Sequence, residues 1–244
     1  MNVRREGEVY VAEEDGQAVG SLRRQEGKVV IELDVPRERV ALGLLRAAAA
    51  DELPADDEQD GGAFGSVHLQ TDDQGAVVKL VERLVPRVLT SAETAVSPAR
   101  NGWVAVYDDA ADRDPAKLRA LGRELSNGSG HVTVTIGVEQ GRVVHLVAME
   151  RARVMDEYVS VPSIRQLAPG DAIALRANPT VLSRLTGAEA AAIRAVLRTA
   201  ESPDELAPAP ELIAQVGGVL GLEGAEYGFD EARELPGVML VRHG

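Results

Sequence analysis

His131-Val132-Thr133-Val134-Thr135-Ile136-Gly137-Val138 alternates apolar and polar side chains with a period of two, the signature of a β-strand lying on a core. Two further runs follow it, Arg142 to Glu150 and Arg153 to Val161, the first after a Gln140-Gly141 turn signal. Three strands joined by short turns predict an antiparallel meander with valines and isoleucine on one face and threonines on the other. Such a sheet is expected to cover a core on one side. The expected cover is the helix opening at Asp112-Arg113-Asp114-Pro115, with Leu118, Leu121 and Leu125 in one stripe and Gly128 and Gly130 at its end.

Working outward, Trp103 to Tyr107 reads as a strand before that helix. Trp103 and Tyr107, four residues apart on a strand, share a face and are expected to anchor the core. Downstream of Pro162, a turn-rich passage leads to helices near 180–185, 187–200 and 210–220 and a short final strand at 238–241. Upstream, Val9 to Glu13 and Ala18 to Arg24 flank Asp15-Gly16 as a hairpin, and Val29 to Asp34 makes a third strand. A helix follows over Arg37 to Leu53, then an acidic loop from Asp51 to Gly62. Next come a strand from Phe64 to Gln70 and a helix capped at Thr71-Asp72-Asp73 and running to about Leu84. The stretch Val88 to Arg100, with Ser, Thr, Pro and Ala, reads as a domain boundary, with the break near Ser97 to Asn101. These elements predict an α+β protein of two units: a β-β-β-α-β-α unit over 1–97, and over 98–244 a β-α-β-β-β unit with an antiparallel meander and C-terminal helices.

The chain has 244 residues, 45% hydrophobic and 27% charged, with no cysteine, which excludes a disulfide scaffold and any thiolate metal site. Its net charge of −13 repels phosphate backbones, so no nucleic-acid partner is expected. With one Trp, four Tyr and two Phe there is little from which to build a stacking platform. No apolar run is long enough for a membrane span or a secretory signal, and a cytoplasmic location is expected. Lysine occurs only at Lys28, Lys79 and Lys117, the usage a GC-rich bacterial genome produces.

One stretch resembles a known family. Val9-Tyr10-Val11-Ala12-Glu13-Glu14-Asp15-Gly16-Gln17-Ala18-Val19-Gly20 is similar to the second and third strands of the GNAT N-acetyltransferases, and the order continues with Val29 to Val35, the Ala-Leu helix, Val67 to Thr71 and the helix from Asp72. The similarity covers roughly residues 8–85 and implies a GNAT-like mixed-sheet unit. In that family a glycine-rich loop brings backbone N–H groups against the pyrophosphate of acetyl-CoA. The matching segment here is Arg39-Val40-Ala41-Leu42-Gly43, so the resemblance implies Arg39 and Gly43 as cofactor-binding residues, with Leu42 at a glycine position.

Other constellations are sparse. His68, His131, His145 and His243 lack metal-ligand spacing, and His68 and His145 are expected as tolerated strand residues. Asp108-Asp109, Asp112-Asp114 and Asp156-Glu157 are candidate general bases or magnesium ligands, Asp108-Asp109 foremost because they follow a strand end. Gly61-Gly62-x-x-Gly65 and Gly217-Gly218-x-x-Gly221 read as turn glycines, and Arg151 and Arg153 as a solvated hairpin tip. No metal is expected and no catalytic residue is assigned. The expectation is a non-catalytic interaction or regulatory module with a protein partner or self-association, a homodimer included, and no cofactor. The alternative is a divergent acyl-CoA-dependent N-acetyltransferase using acetyl-CoA.

Overall fold

The computed structural model describes residues 2–6, 9–14, 17–25, 28–33, 62–165 and 169–243, in two compact units, 1–59 and 60–244. In the first, strands β1 (Asn2–Glu6), β2 (Val9–Glu14), β3 (Gln17–Gln25) and β4 (Lys28–Leu33) form an antiparallel meander in that order. Val11 pairs with Arg4 on one side and Ser21 on the other, and Leu22 with Ile31. The hairpin and third strand are as expected. β1 was hidden because Asn-Val-Arg-Arg-Glu holds a single apolar residue, Val3, which pairs with Ala12. The helix expected over 37–53, with Arg39 and Gly43, lies outside the described residues.

The second unit is built on seven strands, all pairings antiparallel: β5 (Phe64–Leu69), β6 (Glu93–Val96), β7 (Val104–Asp108), β8 (Val132–Glu139), β9 (Val143–Glu150), β10 (Arg153–Val159) and β11 (Met239–Arg242). Their order is β10-β9-β8-β5-β7-β6-β11. Two helices in the first half, α1 (Gln74–Val88) and α2 (Pro115–Ser129), are followed by α3 (Pro169–Ala174), α4 (Pro179–Thr186), α5 (Ala190–Val196), α6 (Ala209–Leu220) and α7 (Phe229–Ala232).

This arrangement corrects the expected division near residue 97. Val88 to Arg100 is no domain boundary, because it holds β6, which pairs with β7 through Thr94↔Asp108 and Val96↔Val106. Likewise β5 and α1, assigned to the first unit, belong to the second, where β5 is the central strand between β8 and β7. Four residues of Glu-Thr-Ala-Val between polar segments give too short a period for sequence reading; the ladder to β7 and β11 makes them a strand.

A second correction concerns the cover. The valine and isoleucine face of β8 is buried by the C-terminal helices: Val134, Ile136, Val138, Val144 and Leu146 pack with Leu182, Ile193, Leu212, Ile213 and Val216. The threonine face is buried too. Helix α2, with α1 beside it, lies on the side of Val67, Leu69, Val104 and Val106, where Thr133 and Thr135 are also sealed. The sheet is thus covered on both sides. Gly122 of α2 sits so close to β8 that a Cβ there would stand 2.2 Å from Thr135 Cγ2. Threonine tolerates this burial because it is β-branched and its hydroxyl stays within reach of the Val147 carbonyl at 3.5 Å.

Caps follow the sequence signals. Asp73 accepts from the Ala76 N–H at 2.9 Å, and Asp114 accepts from the Ala116 and Lys117 N–H groups, closing the two N-termini. Gly130 ends α2 at φ 71°.

Candidate functional site: a cationic groove between two helices

The end of α1 lies beside the start of α2, so the helices run antiparallel. They touch at Gly128, where a Cβ would come within 2.9 Å of the Leu80 and Leu84 Cδ1 atoms. Toward the other end they open into a groove of about 670 Å³. Its floor is Leu84, Val88, Ala116 and Ala120, and its rim is Arg87, Arg119 and Arg123, with Glu124 the acid among the lining residues. A separate, smaller recess of about 300 Å³ lies at the Gly128 end of the helix pair, with Lys79, Arg83 and His131 around Thr71 and Ser129.

Sequence spacing makes this face cationic. Lys79, Arg83 and Arg87 recur every four residues, as do Arg119 and Arg123, so each set projects from one side of its helix at ~6 Å intervals. Each helix carries three bases and one acid, in a chain whose net charge is −13. Folding gains from Arg87, in the last turn of α1, and from Arg119, but the other placements work against it. Like charges at i and i+4 destabilise a helix by roughly 0.2–0.5 kcal/mol per pair, and bases in the first turns of α2 oppose its dipole. Among the described residues Arg119 alone of these five is ion-paired, gripping Glu157 of β10 through two hydrogen bonds of 2.5 and 3.0 Å. These cations escaped the sequence reading, although their four-residue spacing beside Leu80, Leu84 and Val88 was the available signal.

The residues singled out from sequence fall elsewhere, each held by its own partners. Asp108 is buried, and one carboxylate oxygen accepts from the Ser91 and Thr94 hydroxyls at 2.8 and 2.6 Å, while the other accepts from the Ala110 and Ala111 N–H groups at 3.1 Å. Asp109 Oδ1 stands 2.5 Å from the same Ser91 hydroxyl, whose single proton the two carboxylates share, and Asp109 accepts the Ala92 N–H at 3.2 Å. The pair therefore locks the β6 and β7 ends together. Asp108→Ala leaves the Ala110 N–H without its acceptor and takes one of two partners from each of Ser91, Thr94 and Ala111; a loss of about 2 kcal/mol is expected, with Asp108→Asn losing less, read as a fall in the urea midpoint of Trp103 fluorescence. A carboxylate kept for chemistry would leave that midpoint unmoved.

Asp112 ties the Phe229 and Gly65 N–H groups at 3.0 and 3.4 Å. Burial pushes its carboxyl up, against those two bonds. Asp156 holds the Asn178 N–H at 2.8 Å and is likewise pushed up by burial. His68, expected as a tolerated strand residue, sits fully buried on the central strand, with Nε2 2.9 Å from Ser66 Oγ and Nδ1 without a partner among the described residues. Burial pushes it down to about 3. His145 lies on the α2 side of the sheet and is pushed down to about 4, first by burial and then by Arg165 and Arg119. Glu139 stands 4.0 Å from its Nε2, but the Arg165 guanidinium grips that carboxylate.

His243 Nε2 lies 2.8 Å from Thr94 Oγ1, and His131 is exposed. Trp103 and Tyr107 do anchor cores, Tyr107 donating its hydroxyl to the Gly224 carbonyl at 3.0 Å. Arg151 and Arg153 are exposed at the β9–β10 hairpin, as expected. Among the described residues no three histidine or acidic side chains converge as metal ligands would, and no helix is long and apolar enough to cross a membrane. In comparisons with known proteins, the chain matches no family model, no curated protein and no solved structure.

Proposed function

We propose that the protein is a non-catalytic interaction module whose α1–α2 groove receives an acidic segment of a protein partner. The observation that carries this reading is the concentration of Arg87, Arg119 and Arg123 around an apolar floor, with Lys79 and Arg83 on the same helix pair at the neighbouring recess, in a chain of opposite net charge. Charge complementarity across such a rim selects the partner and speeds its arrival, while Leu84, Val88 and Ala120 supply the apolar contact that holds it. The ~6 Å steps match an amphipathic helix with carboxylates four residues apart.

The test uses a short helical peptide with leucines along one face and glutamates flanking them, beside its glutamine counterpart. Saturable binding is expected for the glutamate peptide, weakening with added salt and falling at least tenfold for the doubly reversed Arg87→Glu/Arg123→Glu protein. Carbodiimide coupling of peptide carboxylates should mark Lys79 ahead of Lys28. Equal binding of both peptides, or no loss in the reversed variant, refutes the reading.

The acetyltransferase alternative rests on Arg39 and Gly43, outside the described residues. Calorimetry with acetyl-CoA decides it, and absence of heat at millimolar cofactor removes it.

A further inference from the structure

A second concavity, independent of the groove, opens on the opposite side of the sheet between the β6 and β7 strands and the segment 223–238. It holds about 180 Å³ and is walled by Tyr107, Tyr227, Leu235, Val238, Pro98 and Pro236. Its walls are pinned from outside by contacts between residues far apart in sequence. Gln74 Nε2 donates to the Val96 and Gly237 carbonyls at 3.0 and 2.9 Å, and the Tyr107 hydroxyl donates to the Gly224 carbonyl. Gly224 holds φ +85° and has no space for a Cβ, which would lie 2.3 Å from the Tyr107 hydroxyl. The cavity is therefore preformed: Gln74 ties the 237 turn to β6, and the Tyr107–Gly224 bond ties the 223–238 segment to β7 at the cavity wall.

Two opposite charges share its lining. Arg100 Nε and Glu223 Oε1 stand 3.9 Å apart, with side chains 60% and 58% exposed, too loosely joined for the pair to have a structural task. A ligand that enters beside them meets one cation, one anion and an apolar chamber. At ~30 Å³ per water the chamber equals about six waters, the size of a free amino acid with a branched or straight aliphatic side chain.

We propose that this pocket binds a free aliphatic α-amino acid, its carboxylate on Arg100, its ammonium on Glu223 and its side chain between Tyr107, Tyr227, Leu235 and Val238. Both charges on one carbon are what the Arg100–Glu223 separation selects, and this distinguishes a free amino acid from a peptide terminus, which offers only one. Such a ligand would let an interaction module report the state of a small-molecule pool, but the site stands whether or not the groove binds a partner.

Calorimetry and saturation-transfer NMR of the full chain with L-leucine, L-valine and L-methionine test it. A Kd on the order of 0.1–1 mM is expected for the best of them, given the small number of ligand atoms. 4-Methylpentanoate, which lacks the amine, and 3-methylbutylamine, which lacks the carboxylate, should each bind at least tenfold more weakly. Arg100→Gln and Glu223→Gln should each weaken L-leucine at least tenfold with the thermal midpoint unchanged, and Leu235→Trp should fill the chamber. No saturable binding of any of the three amino acids at about 10 mM overturns the proposal, as does equal affinity for the two one-charge analogues or for the Gln variants.

Discussion

Between pH 6.5 and pH 4.5 the seven-stranded unit is expected to lose roughly 4 kcal/mol of stability through His68 and His145. Both imidazoles are pushed down by burial, to about 3 and about 4, whereas in the unfolded chain they titrate near 6.5. Above pH 6.5 the two states bind equal protons and the histidines cost nothing. Below it the unfolded chain takes up a proton at each site that the folded chain refuses, so stability falls by up to ~1.4 kcal/mol per pH unit per histidine. The fall continues until each folded value is reached. Asp112 and Asp156, pushed up, act in the opposite sense and recover part of the loss once the pH falls into the carboxylate range.

A domain at the low end of the usual 5–15 kcal/mol is brought near unfolding by this alone. Urea midpoints at pH 7.5, 5.5 and 4.5, followed by the fluorescence of the single tryptophan, Trp103, measure it. His68→Leu, although it removes the partner of Ser66 Oγ, should halve the pH slope because one of the two refusing sites is gone. A slope unchanged in that variant would show that His68 is protonated in the fold.

Gly122→Ala should destabilise the same unit by about 2–3 kcal/mol, against the gain of ~1 kcal/mol that alanine brings to a helix interior. The added carbon would lie 2.2 Å from Thr135 Cγ2, and a β-branched side chain on a strand has little rotameric freedom with which to yield. Helix α2 must then lift from the sheet, loosening Leu118, Leu121 and Leu125 from their places against Val67 and Val104. Thr135→Ser removes the obstructing methyl, leaving Cβ at an ordinary 3.7 Å. In that background the alanine should cost nothing or stabilise slightly. A double variant as unstable as Gly122→Ala itself would show that the close approach is fixed by other contacts.

That pair also shows how far the sequence could be read. The period of two in 132–138 revealed the strand, and the Leu118-Leu121-Leu125 stripe revealed the helix, because each pattern is local. Which face of the strand the helix covers was not local, and the expectation was inverted: the threonines, not the valines, lie under α2. Polarity alone misled because a threonine buried beside a helical glycine loses little. His68 was misjudged for a related reason. Edge and centre of a sheet look alike along one strand, and the pairing of β5 with both β7 and β8 puts His68 at the centre, where it is fully buried.

The candidate groove was half legible. Four-residue spacing put Lys79, Arg83 and Arg87 on one side of α1 and Arg119 with Arg123 on one side of α2, but 32 positions separate Arg87 from Arg119 in the chain. Their convergence depends on β6 and β7, which return the chain so that α2 starts where α1 ends. The amino-acid pocket was not legible at all, since Arg100 and Glu223 meet only through the seating of the C-terminal segment on the sheet.

By itself the sequence determined the α+β class, the meander, the caps at Asp73 and Asp114 and the exclusion of thiolate chemistry, because these depend on composition or on residues within one or two turns of each other. The tertiary structure alone decided which strands share a sheet, which acids are closed by hydroxyls and N–H groups, and which cations converge. Those outcomes depend on long-range pairing and on burial, and neither leaves a local periodicity for the chain to display.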